Sequence, residues 1–402
     1  MSVDKPSVFA IALIAFWALA LATGVASPDG WITNSKGIVV EGDYMGVYTA
    51  GKFTLQGEPV AAYDWNRHKA AQRQLDANPK GGFYPWPYPP SFLLVAATLA
   101  MLPYYFSMLT WALATFAAFA AALARISLSR RDMLLMLATP AAWLNLYIGQ
   151  NGALTAALIG FGLIMLPARP VAAGICIGLL SIKPHLGLLI PIALLAGGYY
   201  RAFASAAVTV VALAFATTVA FGVEPWFAFP EQLQRVAMLA KTTTMTTKIQ
   251  SAFGMARSLG LSADHALWLQ GAVIAALVAV IAWLWNRRDV SFDLKAAALA
   301  AAMTLASPYQ FVYDLVILTI AQAFLLRHFA KVGAADAVEI RGLALANCLV
   351  LLFAKTPVPL GIIASAMVMA LILRRVWIER SADAAEQLGA PCPSAVLPAA
   401  GA

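Results

Sequence analysis

A dozen apolar runs separated by short polar turns leave this chain few folds to choose from. They cover residues 7–25, 91–125 (interrupted at Pro103), 133–147, 152–167, 171–182, 186–198, 202–222, 265–285, 296–307, 314–327, 341–355 and 359–374, and each reads as a helix. With 61% hydrophobic and 11% charged residues and a mean hydropathy of +0.77, the chain carries more apolar surface than a soluble core of 402 residues needs. An all-α, polytopic membrane bundle is expected. Several runs fall short of the roughly 20 residues of a straight span. Those runs must be tilted, broken, or extended by flanking residues packed inside the bundle.

Basic residues set the orientation. The net charge of +8 is spread as short groups at the ends of the runs rather than gathered in a stripe, which argues for membrane orientation and against nucleic acid. With a cytoplasmic N-terminus and one net crossing for 91–125, the groups Arg130 and Arg131, Arg169, Arg201, Arg287 and Arg288, Arg327 and Lys331, and Arg374 and Arg375 all fall in cytoplasmic turns. That gives about 12 net crossings. Two full spans at 91–125 would flip most of these groups outward, so one of the two pieces is expected to be re-entrant or interfacial.

The outer face then collects two loops, 26–90 and 223–264, the first holding interfacial helices. It also collects the turns Gly149-Gln150-Asn151-Gly152, Lys183-Pro184-His185, Ser307-Pro308-Tyr309-Gln310 and Lys355-Thr356-Pro357. One outward-facing site at the membrane boundary is expected. A single domain over 1–380 precedes an Ala- and Pro-rich cytoplasmic tail, 381–402, expected to be disordered. The run at 7–25 is expected to be a retained first helix, not a cleaved signal. Cys176 and Cys348 lie inside apolar runs and Cys392 in the tail, which makes neither a disulfide framework nor a metal-ligand spacing. No metal or cofactor is expected.

Lys183 is the sharpest signal by physics alone, because no Asp or Glu occurs from Met133 to Gly222. Its ammonium must snorkel to the headgroups, pair with a distant acid, or meet an anionic ligand such as a lipid phosphate. Pro184 breaks the helix and His185 adds a second donor, which favours a ligand. Gln150 and Asn151 place two amides between glycines, either in an ordinary tight turn or as donors to sugar hydroxyls. Asp314 is the only acid from Ala296 to Ala330, and capping or pairing with a buried cation suits it better than catalysis. The first loop offers Asp29, Glu41, Asp43, Glu58, Asp64 and Asp76. Spacing does not rank them, and a solvated loop acid is the plain reading of each. Asp43 alone heads a stretch in which, if helical, Gly46 or Val47 and Ala50 share its face, so that a substrate can approach closely. The segment Tyr84-Pro85-Trp86-Pro87-Tyr88-Pro89-Pro90 reads as an aromatic anchor at the interface.

Taken in order, several segments form a pattern. They are Gly42-Asp43-Tyr44 with Tyr48-Thr49-Ala50-Gly51; Leu55-Gln56-Gly57 through Tyr63-Asp64; Tyr88-Pro89-Pro90 and Leu102-Pro103-Tyr104; Gly149-Gln150-Asn151; Ala173-Gly174 through Lys183-Pro184-His185; and Ser307-Pro308 through Tyr313-Asp314. The series, running from about residue 10 to 375, resembles glycosyltransferase family 87. These are membrane mannosyltransferases of the GT-C superfamily that use a polyprenyl-phosphate sugar as donor. The resemblance implies a GT-C-type helical bundle in the bacterial cytoplasmic membrane, with its active site facing the periplasm. It makes Asp43 the general base and puts Lys183 and His185 at the donor phosphate. Tyr44, Tyr48, Asp64, Gln150, Asn151, Tyr309, Gln310, Tyr313 and Asp314 are the expected contacts to sugar or acceptor, the latter a glycan or glycolipid. Many relatives have a histidine just after the late Ser-Pro, where this chain has Tyr309-Gln310.

Two other functions fit a lipid-linked sugar. A transporter or flippase is expected to place polar residues near the midplane in both halves and to show paired repeats; here the polar residues gather at one face and no clear repeat exists. A glycan ligase of the O-antigen type is expected to rely on an outer loop rich in Arg and His. The loop 223–264 offers only Arg235 and Arg257, with His265 just beyond it.

Overall fold

The structure, a computed structural model, describes residues 5–27, 30–36, 38–40, 42–75, 82–241, 248–333, 335–352 and 356–387. Asp29, Glu41, Asp76, Lys355 and the tail from 388 onward lie outside the described residues. Among those described there is no strand, only isolated bridges between Thr33 and Val39 and between Ile249 and Phe311. The helices run α1 Lys5–Ala26, α2 Tyr44–Leu55, α3 Trp65–Leu75, α4 Leu93–Ala100, α5 Tyr104–Ile126 and α6 Arg130–Leu137. Next come α7 Pro140–Ile148, α8 Gly152–Met165, α9 Pro170–Leu179, α10 Ile190–Ala196, α11 Tyr200–Phe221 and α12 Glu224–Ala240. The last are α13 Ala252–Ser258, α14 Ala263–Asn286, α15 Phe292–Ala306, α16 Val316–Val332, α17 Ala337–Leu352 and α18 Leu360–Gln387.

Five stretches are long and apolar enough to cross a membrane: Tyr104–Ile126, Tyr200–Phe221, Ala263–Asn286, Val312–Val332 and Leu360–Ala384. The chain is an integral membrane protein. Prolines account for several of the shorter helices. Pro103 divides the 91–125 run into α4 and α5; the eight residues of α4 reach roughly 12 Å, far short of a hydrocarbon core of about 30 Å. Pro140 likewise divides the 133–147 run into α6 and α7, because its ring has no N–H to continue the ladder. Serines start four helices: Ser129, Ser251, Ser262 and Ser291 each accept a backbone N–H of the first turn.

Three segments differ from expectation. The loop 223–264 contains the 17-residue α12 and the short α13, and an amphipathic helix of that kind lacks the continuous apolar run that marks the others. Residues 381–387, expected in the tail, continue α18. Trp86 and Tyr88, read as interfacial anchors, are buried instead. Trp86 stacks on Phe92 with centroids 5.5 Å apart, inside a second core built from α2, α4, α5 and the Pro-rich segment.

The contacts sort the polar turns to two ends of the bundle. At one end, Arg327 donates to the carbonyl of Ile126 at 2.8 Å and pairs with Asp293 at 3.4 Å, and Lys331 reaches Asp293 at 2.5 Å. Buried Glu339 takes the Arg375 guanidinium, and Arg380 binds Asp289 at 2.8 Å. These are the neighbours of the basic turns grouped by charge. The other end carries Asp43, Gln150, Lys183, Gln310 and Asp314.

Candidate active site

A glycine pair shapes the first wall of the site. Gly149 closes α7 at φ +74°, a left-handed conformation that glycine adopts without strain, and its carbonyl accepts the Trp111 indole N–H at 3.0 Å. A Cβ on Gly152 would stand 2.0 Å from the Tyr313 carbonyl oxygen, so the absence of a side chain lets α8 begin directly against the turn Val312–Leu315. Gly152→Ala is therefore expected to push that turn away and lower stability by about 1–3 kcal/mol or more. Thermal unfolding of the detergent-purified variant measures it, and wild-type melting would show that the turn yields freely.

Between these glycines the turn presents Gln150. Its Nε2 donates to Asp43 Oδ2 at 2.9 Å, and its Oε1 accepts the Tyr88 hydroxyl at 3.0 Å. Asp43 stands at the start of α2 but makes no side-chain bond to that helix, which leaves its carboxylate free to turn toward Gln150. Burial raises the Asp43 carboxyl above the ordinary carboxylate range, and the Gln150 N–H and the charges of Lys248 and Lys183 oppose the rise.

The second wall is the pair that the sequence left without a local counter-ion. Lys183, in the break after α9, meets Asp314 Oδ1 at 2.5 Å, with side-chain exposures of 6% and 1%. Its ammonium also lies 4.8 Å from the centroid of the Tyr313 ring, which stacks on Phe311. Of the three fates open to Lys183, the distant acid is the one observed. The other oxygen of Asp314 accepts the Phe311 N–H at 3.4 Å, so this residue both caps and pairs. Exposed His185 feels the charges of Lys183 and Asp314 and has no hydrogen-bond partner among the described residues. Tyr88 and Tyr313 in turn lie within the fields of Asp43 and Asp314, which ties the two walls into one cluster.

Asn151 and Gln310 are buried, and neither amide makes a hydrogen bond of good geometry. Asn151 lies beside the Tyr88 hydroxyl. Gln310 offers its backbone carbonyl to the N–H of Gln250 at 2.6 Å, and Ser251 donates to the Pro308 carbonyl at 2.6 Å. These bonds seat the segment 248–251 on the late Ser-Pro turn, and with it Lys248.

Four expected contacts go elsewhere. Tyr44 is fully buried with its hydroxyl 2.6 Å from Ser107, and the Tyr48 hydroxyl donates to the Leu102 carbonyl at 3.2 Å; both rings pack edge-on against Tyr104. Asp64 caps α3, accepting the N–H groups of Asn66 and Arg67. Tyr309 packs against Phe253 in a separate small core. The small face of α2 also serves packing. A Cβ on Gly46 would lie 3.0 Å from the Tyr84 carbonyl, and one on Gly51 2.1 Å from the Ala96 carbonyl of α4. Two members escaped sequence reasoning: Tyr88, hidden in an aromatic segment that anchoring explained, and Lys248, one cation among several in a loop.

The family model of glycosyltransferase family 87 matches residues 86–308, more than half of the chain. That stretch contains Tyr88, Gln150, Lys183, His185 and Lys248, whereas Asp43 precedes it and Asp314 follows it. No curated protein and no solved structure matches the chain.

Proposed function

The chain belongs to glycosyltransferase family 87, and on that premise we propose that it moves a hexose, in the first instance mannose, from a polyprenyl-phosphate sugar to a lipid-linked or glycan acceptor. The reaction takes place at the outer face of the bacterial cytoplasmic membrane, in a single transferase domain of GT-C type over 1–380 with about 12 net crossings. One observation carries the reading. A half-buried carboxylate, Asp43, shares one cluster with the ammonium groups of Lys183 and Lys248 and the imidazole of His185, which puts a base beside two cations and a further hydrogen-bonding group at one end of an apolar bundle.

A sugar hydroxyl is a poor nucleophile at neutral pH. Asp43 accepts its proton as the oxygen attacks the anomeric carbon, and the raised proton affinity of its half-buried carboxyl brings it nearer to the working pH. The bond from the anomeric carbon to the phosphate oxygen breaks on the opposite side, and the electron pair leaves with the polyprenyl phosphate. Lys183 and His185 stabilise the charge that grows there, Lys183 sharing its ammonium with Asp314. One displacement with one base inverts the anomeric carbon. Asn151, Gln310 and Tyr313 remain as polar groups for the sugar.

Membranes containing the protein are to be incubated with radiolabelled polyprenyl-phosphate mannose, polyprenyl-phosphate glucose and a nucleotide-linked mannose. Label is expected to reach acceptor from a polyprenyl-phosphate sugar and not directly from the nucleotide sugar. Direct use of the nucleotide sugar would overturn the donor assignment.

A further inference from the structure

Both ends of the Gln150 amide are committed, and that differs from what a sugar-binding amide at this turn requires. A glutamine donates only through nitrogen and accepts only through oxygen. Turned the other way, its oxygen would face the Asp43 carboxylate, a contact of two acceptors. The Asp43 oxygen at 2.9 Å therefore selects the amide orientation, and the Tyr88 hydroxyl, able to donate or accept, donates at 3.0 Å to the Oε1 that this orientation turns toward it. Each end is anchored independently. The Tyr88 carbonyl accepts the Tyr63 hydroxyl at 3.0 Å, and its ring packs on Trp86 and Phe92 in the second core. The Gln150 backbone follows the left-handed Gly149, whose N–H is held by the Asn145 carbonyl at 3.0 Å.

We infer that Tyr88 and Gln150 form a positioning relay that occupies Oδ2 of Asp43 and leaves Oδ1 as the oxygen that meets the acceptor hydroxyl. The relay rests on the reading of Asp43 as general base. It makes Gln150 a positioning residue rather than a sugar contact, and it gives the buried phenol of Tyr88 a purpose that packing does not. The carboxylate is held by one directed N–H, so its free oxygen keeps a fixed bearing instead of rotating between the cations around it. Those neighbours are Lys248 before α13 and Lys183 after α9, and the phenols of Tyr88 and Tyr313, the Asp314 carboxylate and the His185 imidazole are the other titratable groups of the cluster.

The test is an infrared pH titration of the full-length protein in lipid nanodiscs. The Asp43 carboxyl band is identified by its loss in Asp43→Asn, and the protonation midpoint is read without any turnover. Gln150→Leu removes the N–H that favours the charged form, so the midpoint is expected to rise by about one pH unit. Tyr88→Phe, which keeps the ring and its packing, frees the amide to rotate and is expected to move the midpoint the same way by less. The acid limb of the transfer rate against pH should follow both shifts. A purely structural role lowers yield or melting temperature and leaves the midpoint in place. Unmoved midpoints in both variants overturn the relay; moved midpoints with full transfer by Asp43→Asn overturn the reading of Asp43 on which it rests.

Discussion

Asp43→Asn is expected to lower the rate of transfer about 10²–10⁴-fold while the protein still inserts and folds. Asparagine keeps an oxygen that can accept the Gln150 N–H, so the hydrogen bond across 107 residues of sequence survives. What disappears is a group able to take a proton. The effect belongs in turnover rather than in donor KM, because Asp43 serves the acceptor hydroxyl. Stability should move in the opposite direction. Burial raises the folded-state carboxyl above its unfolded value, so the aspartate version loses stability as pH rises through the interval between the two. The asparagine variant carries no such loss and should melt at the same temperature or higher at neutral pH. Wild-type turnover at equal protein would remove Asp43 from the mechanism.

Removing either partner of the Lys183–Asp314 pair should destabilise the protein by about 3–5 kcal/mol, because each single change leaves a buried charge alone. Asp314→Ala strands the ammonium between Tyr313 and the bundle; Lys183→Met strands the carboxylate, which keeps only the long bond from the Phe311 N–H. Apolar replacement of both residues, Lys183→Met with Asp314→Leu, removes the unpaired charge and should recover most of the stability. Donor binding should not recover with it. Melting temperature and donor KM measured on the three variants separate the two roles of Lys183. Single variants that melt like the wild type would refute the buried pair. A double variant with wild-type donor KM would refute the phosphate role.

Helices were legible wherever apolar runs were continuous, and Pro103 and Pro140 mark why two of those runs yield broken helices. The helices α2, α3, α12 and α13 were harder to see: they are short or amphipathic, with no uninterrupted apolar stretch to distinguish them from a polar loop. In the site, isolation was the useful signal. Lys183 has no acid within its own stretch of sequence and Asp314 has no neighbouring acid, and in an apolar bundle two such charges are strongly driven to meet, here across 131 residues. Periodicity placed Gly46 and Ala50 on one face of α2 but said nothing of what covers it; packing against the Tyr84 carbonyl and α4 does. Nor does periodicity say what the hydroxyls of Tyr44 and Tyr48 meet, which is Ser107 and the Leu102 carbonyl. An aromatic near a membrane boundary reads as an anchor, and only the folded chain turns Tyr88 inward onto Gln150.

A transferase moves a sugar from lipid to acceptor, whereas a flippase carries the lipid-linked sugar across the bilayer intact. Purified protein in sealed liposomes, supplied with polyprenyl-phosphate mannose labelled in the sugar and with extracted glycolipid acceptor, separates the two in one measurement of where the label resides. Label is expected to leave the polyprenyl lipid and appear on acceptor, at a rate that collapses in Asp43→Asn. Label that crosses the bilayer still attached to its polyprenyl phosphate, with none reaching acceptor, would make the protein a carrier and not a transferase.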